Sequence, residues 1–162
     1  MNIQRTRNNH PFHILVAEDD PDDQMLIHDA FEANNLGSSI HFVENGEELL
    51  DYIFQREKYA DPSAFPPPDM IILDLNMPKK DGRETLREIK NNEHLRLIPV
   101  IVLTTSNSQD DISKLYHLGV NSYIVKPFTF DGLINIVKCI DDFWFKTARL
   151  PYRTNQNSLN SL

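Results

Sequence analysis

The feature that most constrains the fold is a regular alternation of short apolar runs with longer amphipathic segments. The apolar runs have lengths typical of strands, and the segments between them repeat their apolar residues with helical spacing. Predicted strands cover residues 11–17, 39–43, 70–75, 98–105 and 122–126. Predicted helices cover residues 21–35, 46–57, 82–92, 108–119 and 131–148. Because helical connections force parallel pairing with right-handed crossovers, we expect an open, doubly wound α/β sheet.

The apolar positions predict which side chains form the core. The first, third and fourth strands are apolar throughout, as expected for strands buried on both faces of a sheet. In the first helix, Leu26, Ala30, Phe31 and Ala33 are spaced for one buried face. We also expect the single cysteine, Cys139, to pack in the core.

Length and composition limit the possible functions. A chain of 162 residues corresponds to about one domain, which we place at residues 11–150 between a flexible segment, 1–10, and a polar tail, 151–162. A net charge of -8 argues against a nucleic-acid partner. No window approaches the roughly 20 apolar residues of a membrane span. We therefore expect no membrane partner. The lone cysteine permits no internal disulfide, which is expected of a cytoplasmic protein.

Polar residues follow the predicted strands at the points where those strands end. Glu18 and Asp19 follow the first strand, Asp74 follows the third, Thr104 ends the fourth and Lys126 ends the fifth. Because ligands of doubly wound sheets bind at the carboxyl ends of the strands, we expect these side chains to converge. The sequence therefore predicts a site containing three carboxylates, one hydroxyl and one lysine.

The remaining carboxylates of "AEDDPDD" are explained by the start of a helix. Asp20 is a favourable N-cap, and Pro21 suits the first helical position. Asp22 and Asp23 favour the positive end of the helix dipole. This interpretation leaves Glu18 and Asp19 for the site.

The charge of the predicted site indicates its cofactor. Each pair of like charges repels by about 4 kcal/mol at ~4 Å and an effective dielectric constant of ~20. Lys126 and one divalent cation would neutralise Glu18, Asp19 and Asp74. Hard oxygen ligands without cysteine or clustered histidine point to Mg²⁺. A carboxylate beside Mg²⁺, a lysine and a hydroxyl is suited to attack a phosphoryl group.

Four motifs in this order resemble the receiver domains of two-component response regulators, the CheY-like family. The motifs are "AEDD", "ILDLNMPKKDG", "VIVLTT" and "SYIVKPF", and the resemblance extends over about residues 12–148. It implies a flavodoxin-like (βα)5 sandwich with a five-stranded parallel sheet in the order 2-1-3-4-5. It also implies that Asp74 is the phosphoacceptor, that Asp19 binds Mg²⁺ directly and that Glu18 binds it through water. Asn76 would offer its backbone carbonyl to the metal.

The same resemblance implies roles around the phosphoryl group. Thr104 and Lys126 would hold its oxygens, and Tyr123 would turn inward when Thr104 moves toward the phosphate. Pro127 would follow a cis peptide bond. Thr105 stands where many receivers have alanine or another small residue, so we expect it to narrow access to the acyl phosphate.

The resemblance implies a single-domain response regulator of a two-component phosphorelay, not an enzyme in the usual sense. It would take its phosphoryl group from a sensor histidine kinase, assist its own phosphorylation and dephosphorylation, and signal to a downstream protein through changed contacts. The segments "PPPDMIILDLNMPKKDGRETLREIK", "IPVIVLTTSNSQDDI" and "DDFWFKTARLP" further resemble small stand-alone regulators associated with bacterial phytochromes, the Rcp1-like group. A phytochrome is therefore a candidate kinase.

Two other classes of function remain as alternatives. A Mg²⁺-dependent phosphohydrolase with an aspartyl nucleophile would carry a second carboxylate two residues after the nucleophile, where this chain has Asn76. A degenerate receiver that acts only as a scaffold would lack the acceptor, the acidic pair or the lysine, and all are present. Incubation with acetyl phosphate and Mg²⁺ distinguishes the three.

A cluster of aromatic residues near the C-terminus suggests a homodimer as one of two interpretations. The chain places Phe143, Trp144, Phe145, Leu150 and Tyr152 close together, and at ~100° per residue three consecutive aromatic side chains cannot all face the sheet. The outward ring could pack on the proline-rich loop before the third strand. Alternatively it joins the fourth helix, the fifth strand and the fifth helix in an isologous dimer surface.

Overall fold

The computed structural model of the protein describes residues 6–7 and 10–151. Five parallel strands form one sheet, labelled here β1 (His13–Ala17), β2 (Ser39–Val43), β3 (Met70–Leu73), β4 (Val100–Thr104) and β5 (Ser122–Val125). Their order across the sheet is β2-β1-β3-β4-β5, which confirms the predicted topology. Separately, Thr6–Arg7 pairs with His10–Pro11 in antiparallel fashion.

A helix follows each strand. The five helices are α1 (Pro21–Ala33), α2 (Gly46–Ile53), α3 (Gly82–Asn91), α4 (Gln109–Leu118) and α5 (Phe130–Ile140). Each helix begins after a side-chain cap that accepts a backbone N–H, and the caps are Asp20, Asn45, Asp81, Ser108 and Thr129. Short 3₁₀ turns occupy Glu57–Tyr59 and Leu95–Leu97, and α5 continues as a π-helical segment over Asp141–Thr147.

The sheet separates two apolar cores. Alternate residues of each strand point to opposite faces, so Ile14 and Val16 pack with α1 and α5, whereas Leu15 and Ala17 pack with α2, α3 and α4. The strands β3 and β4 are buried throughout, and β1 is buried except at its first residue. This confirms the prediction that the first, third and fourth strands are covered on both faces.

Two details of the predicted core were wrong. In α1 the buried face is formed by Ile27, Ala30 and Phe31, so Leu26 and Ala33 are exposed instead. Cys139 is also exposed, because Val137 and Ile140 turn toward the sheet and leave residue 139 about 100° away from that face.

The C-terminal aromatic residues point in different directions, as their spacing predicted. Phe145 is buried and its ring lies 4.4 Å from that of Phe12, centroid to centroid. Trp144 is half-buried against the same core. Phe143 is 55% exposed and contacts the ring of Trp144 edge-on at 5.2 Å. The described residues thus leave one aromatic ring of this segment facing outward.

No helix within residues 6–7 and 10–151 is long and apolar enough to cross a membrane.

Some predictions concern residues that the structure does not describe. Residues 1–5, 8–9 and 152–162, including Tyr152, lie outside the described part of the chain. The domain limits at 11 and 150 and the flexible N-terminal segment therefore stay predictions.

Candidate functional site

The backbone of the sheet brings the predicted site residues to one edge. The N–H of Asp74 donates to the carbonyl of Ala17 at 3.0 Å, so β1 and β3 end side by side. The N–H of Lys126 donates to the carbonyl of Thr104 at 2.7 Å, so β4 and β5 end together as well. The parallel register therefore places the polar residues after each strand around a common mouth.

Three carboxylates converge there as the sequence predicted. Ligand oxygens of Glu18, Asp19 and Asp74 all lie within 4.8 Å of one another. Glu18 and Asp74 are buried, with exposed fractions of 2% and 7%, whereas Asp19 is half-buried. Such a set of oxygens suits a divalent cation, and the half-buried Asp19 leaves the set open toward solvent.

Lys126 is the positive charge of the site. Its Nζ donates to Glu18 Oε2 at 2.6 Å, to Asp23 Oδ2 at 2.8 Å and to Asp74 Oδ2 at 3.2 Å. Its side chain is only 12% exposed. The structure thus confirms that the lysine meets two of the predicted carboxylates, and it adds Asp23 as a third.

Sequence reasoning missed the role of Asp23 because the start of α1 already explained that residue. Asp20 does cap the helix, since its side chain accepts the N–H groups of Asp22 and Asp23. The available signal was position: the first turn of α1 begins at the mouth of the site, so a side chain there can stabilise the helix and also reach Lys126.

The loop after β1 is held by hydrogen bonds of its own. A carboxylate oxygen of Glu18 accepts the N–H of Asp20 at 3.1 Å, and the Glu18 carbonyl accepts the side-chain amide of Gln24 at 2.6 Å. These contacts fix the acidic loop relative to the first turn of α1.

Asp74 is placed by close packing of the backbone around it. Its Oδ1 accepts the N–H of Leu75 at 2.7 Å, which leaves Oδ2 toward Lys126. The start of α3 lies directly against this turn, because a Cβ added to Gly82 would lie 2.2 Å from the Asp74 carbonyl oxygen. Only glycine allows that approach, so Gly82 helps to position the carboxylate of Asp74.

Thr104 and Tyr123 meet through the loop that follows β4. Thr104 is fully buried, and its hydroxyl oxygen accepts the N–H of Ser106 at 3.4 Å. The Tyr123 hydroxyl donates to the Ser106 carbonyl at 2.9 Å, and the tyrosine ring is half-buried against the core. The predicted switch pair is therefore connected by one residue, which sequence reasoning did not single out.

The loop after β4 is also tied to α3. Arg83 donates two hydrogen bonds to Asp111, at 2.9 and 2.7 Å, and Ser106 Oγ donates to the same carboxylate at 2.9 Å. The bonds from Arg83 hold the pKa of Asp111 at about 2, well below its ordinary value. No motif pointed to this pair, because its members lie 28 residues apart on different helices.

Two further predicted residues lie at the surface. Asn76 is exposed, and the role of its backbone carbonyl stays a prediction. Thr105 is exposed next to the buried Thr104, and its effect on access to the acyl phosphate likewise stays a prediction.

The expectation of a cis peptide bond before Pro127 was wrong, since no described peptide bond is cis. The trans form found here is intrinsically favoured by about 0.5–1 kcal/mol.

The electrostatics of the site reflect burial of like charges beside one cation. Burial raises the pKa of Glu18 to about 7, although the hydrogen bond from Lys126 acts in the opposite direction. Burial lowers the pKa of Lys126, but its hydrogen bonds to Asp23 and Glu18 outweigh that effect and raise it above its ordinary value. Lys126 is therefore a permanent cation of the site.

Comparison with known proteins identifies the family. Residues 14–138 match the model of the response regulator receiver domain. The protein belongs to the response regulator receiver domain family. The chain is 38% identical to response regulator Rcp1 of Synechocystis sp. over 144 residues, which cover 89% of this chain and 96% of Rcp1. It is a signalling protein, and its relatives include stand-alone two-component response regulators.

Solved receivers share the fold over most of their length. The crystal structure of phosphorylated RcpA, a cyanobacterial phytochrome response regulator, is 43% identical with a TM-score of 0.81, covering 88% of this chain and 99% of RcpA. RPA3017, a response regulator in red light signalling of R. palustris, is 37% identical with a TM-score of 0.83, covering 87% and 99%. Rcp1 has itself been solved in a Mn²⁺-bound form, with a TM-score of 0.79 and 38% identity over 88% of this receiver chain and all of that structure.

The buried Glu18 predicts how the stability of this receiver depends on pH. Its pKa is about 7 in the folded protein and about 4.5 in an unfolded chain, so the folded state binds the proton more tightly. Its contribution is complete below pH ~4.5 and is lost as the pH rises through 7. In chelator-treated protein, Glu18→Gln should remove roughly 2 kcal/mol of the loss in unfolding free energy between pH 5 and 7.5.

Urea unfolding across this pH range provides the measurement. Glu44→Gln is the control, because Glu44 is exposed and lies at the end of the neighbouring strand β2. An equal pH slope in wild type, Glu18→Gln and Glu44→Gln would contradict the assignment.

Proposed function

We propose that the protein accepts a phosphoryl group on Asp74 from a phosphohistidine of a sensor kinase, in a reaction that requires Mg²⁺. The observation that carries the proposal is the position of the Asp74 carboxylate, which lies 3.2 Å from the Nζ of Lys126 and within the acidic cluster of Glu18 and Asp19. A nucleophilic carboxylate, a fixed cation and metal-binding oxygens thus meet at one mouth.

The transfer step follows from these contacts. An oxygen of Asp74 attacks the phosphorus, an O–P bond forms, and the N–P bond of the phosphohistidine breaks with its electron pair remaining on the imidazole. Lys126 is positioned to bind an oxygen of the transferred group, and the Thr104 hydroxyl is the candidate to bind another. A separate reaction removes the group: water attacks the phosphorus of the acyl phosphate, the O–P bond to Asp74 breaks, and the carboxylate and inorganic phosphate are released.

We propose Mg²⁺ as the resident metal, bound by Asp19, Asp74 and the backbone carbonyl of Asn76, with Glu18 acting through water. The carboxylate oxygens of the described cluster fit a hard divalent cation. When bound, the metal would offset the negative charge of the carboxylates and of the phosphoryl oxygens.

Signalling, and not hydrolysis of a small substrate, is the function that this site supports. An aspartyl phosphohydrolase needs a second carboxylate two residues beyond the nucleophile, and Asn76 occupies that position. The product is therefore a modified protein. The added phosphoryl group carries a charge of about -1.5 to -2.

The phosphoryl group would act on the loop after β4. If the Thr104 hydroxyl turns toward the phosphoryl oxygen, the N–H of Ser106 loses its acceptor, and the Ser106 carbonyl that now binds Tyr123 moves with it. The surface around β5 would change accordingly, which couples the acceptor to protein contacts.

The acceptor is tested with Asp74→Asn. We expect wild-type protein incubated with acetyl phosphate and Mg²⁺ to gain the mass of one phosphoryl group, and chelation of the metal to abolish the gain. Asp74→Asn should show no modification, because an amide oxygen is a poor nucleophile. Asp22→Asn serves as the control, since Asp22 lies outside the lysine network; modification of Asp74→Asn at the wild-type rate would refute the proposal.

The kinase is proposed to dock on apolar residues that flank the mouth. Met25 and Leu26 on α1 are 58% and 44% exposed, and Phe128, in the loop after β5, is fully exposed. The Asp23–Lys126 contact holds α1 beside that loop. A phosphohistidine must approach Asp74 at this mouth, so the domain that carries it must cover these side chains.

This docking surface predicts a difference between protein and small-molecule donors. Phe128→Ala should slow transfer from a phosphorylated sensor kinase about tenfold and leave transfer from acetyl phosphate unchanged. Leu97→Ala is the matched control, because Leu97 is 55% exposed but lies before β4, at the opposite end of the sheet. Equal kinase rates for wild type and Phe128→Ala would contradict this surface.

The relatives suggest the signal. RcpA is a phytochrome response regulator and RPA3017 acts in red light signalling. We propose by analogy that a bacterial phytochrome or a related histidine kinase is the donor and that the response passes to a downstream protein. A cytoplasmic location and the absence of nucleic-acid and membrane partners stay predictions.

We propose a homodimer through the surface formed by α4, β5 and α5. Exposed apolar side chains occur along it, with Tyr116 on α4 50% exposed, Val125 on β5 38% exposed and Phe143 after α5 55% exposed. A second copy would cover these side chains by presenting the same surface.

Substitutions of the nearby residues Phe143 and Phe145 distinguish an effect on dimerisation from an effect on folding. Phe145→Ala should lower the unfolding free energy by about 3 kcal/mol, because it opens a cavity against Phe12. Phe143→Ala should cost about 1 kcal/mol or less and should convert the dimer to monomer in sedimentation experiments at micromolar concentrations. If wild type and Phe143→Ala are both monomeric, with and without phosphorylation, the dimer proposal fails.

A further inference from the structure

All hydrogen-bond donors of the Lys126 ammonium group are in use. An ammonium group has three N–H donors, and Nζ of Lys126 contacts three carboxylates, those of Glu18, Asp23 and Asp74. A phosphoryl oxygen that binds this lysine must therefore displace one of the present acceptors.

The three acceptors differ in how readily each can leave. Glu18 makes the shortest contact, at 2.6 Å, and its side chain is 2% exposed, so losing Lys126 would leave a buried carboxylate without its cation. Asp74 is the residue that carries the phosphoryl group. Asp23 has a side chain 36% exposed at the rim, where water can replace the lysine. The contact of Asp74 passes to the phosphoryl group that Asp74 carries, so Asp23 is the rim acceptor that remains to compete with a phosphoryl oxygen for Lys126.

The position of Asp23 is fixed by the fold. It lies in the first turn of α1, and its N–H donates to the Asp20 cap at 3.4 Å. Its Oδ2 is closer to Lys126 than the oxygen of Asp74 is, at 2.8 Å against 3.2 Å. Asp23 thus contacts Lys126 directly and has no described contact to Asp74.

Charge acts in the same direction as the hydrogen bonds. Glu18, Asp19, Asp23 and Asp74 bring four carboxyl groups to the mouth, where Lys126 and a bound divalent metal would supply the positive charge. Phosphorylation replaces the single charge of the acceptor with about -1.5 to -2. A fourth carboxylate therefore disfavours the phosphorylated state.

We propose that Asp23 is a positioning residue that holds Lys126 away from the phosphoryl group and thereby limits how tightly and how long this protein retains phosphorylation. The inference rests on the proposed function of Asp74. It assigns Asp23 a role beyond its place in the helix start, as the residue that weakens an otherwise complete acceptor site.

The test uses beryllofluoride, a mimic of the phosphoryl group, titrated with Mg²⁺ and followed by ¹⁹F NMR. Asp23→Asn should bind the mimic about fivefold more tightly than wild type, and its phosphoprotein should survive about fivefold longer. Asp22→Asn is the matched control, because it removes the same charge from the same helix turn without touching Lys126. Asp23→Glu restores a carboxylate and should return both quantities toward wild type.

The controls separate the possible outcomes. Thermal unfolding verifies that the variants fold, and Asp23→Ala, which leaves no acceptor for the lysine, should show at least the effect of Asp23→Asn. If wild type binds the mimic but Asp23→Asn behaves like Asp22→Asn, this inference fails and the function of Asp74 stands. If wild type neither binds beryllofluoride nor becomes phosphorylated, the proposed function fails and this inference with it.

Discussion

The contact of Lys126 with three carboxylates is the interaction on which the rest of the site depends. Parallel strands that end together bring their polar residues together, and here that geometry gathers acidic groups that repel one another. Lys126 offsets part of this repulsion. Its own backbone is fixed by a hydrogen bond to Thr104, so the cation and the hydroxyl that are proposed to bind one phosphoryl group are built on adjacent strand ends.

The same arrangement links the acceptor to the outer surface. Gly82 lets α3 lie against Asp74, and the next residue, Arg83, binds Asp111 on α4. Ser106 contacts both Asp111 and Tyr123. A packing contact at Gly82, the peptide bond to Arg83 and the hydrogen bonds from Arg83 to Tyr123 thus join the Asp74 turn to β5 on one face of the sheet. These contacts are a physical path for the proposed switch. They can act as a switch only if the loop after β4 has two arrangements, one for each position of the Thr104 hydroxyl.

Much of this organisation could be predicted from the sequence, because strand topology alone determines which residues meet. Asp74 and Lys126 lie 52 residues apart and were placed together by the rule that strand ends share an edge. Asp23 was missed because a helix start sufficed to explain it, and one side chain can serve two purposes. The rotation of α1 that buries Ile27 instead of Leu26 was also missed, since apolar residues at both positions leave the helical face undetermined by one residue.

Direct mapping of the modified residue tests the central claim most closely. Borohydride reduces the acyl phosphate of an aspartate to homoserine, and peptide mass spectrometry then identifies the position. After incubation of wild-type protein with a phosphodonor and Mg²⁺, we expect homoserine at position 74 and at no other aspartate. Homoserine at the position of Asp19 or Asp23, or a phosphoprotein in which position 74 stays unmodified, would contradict it.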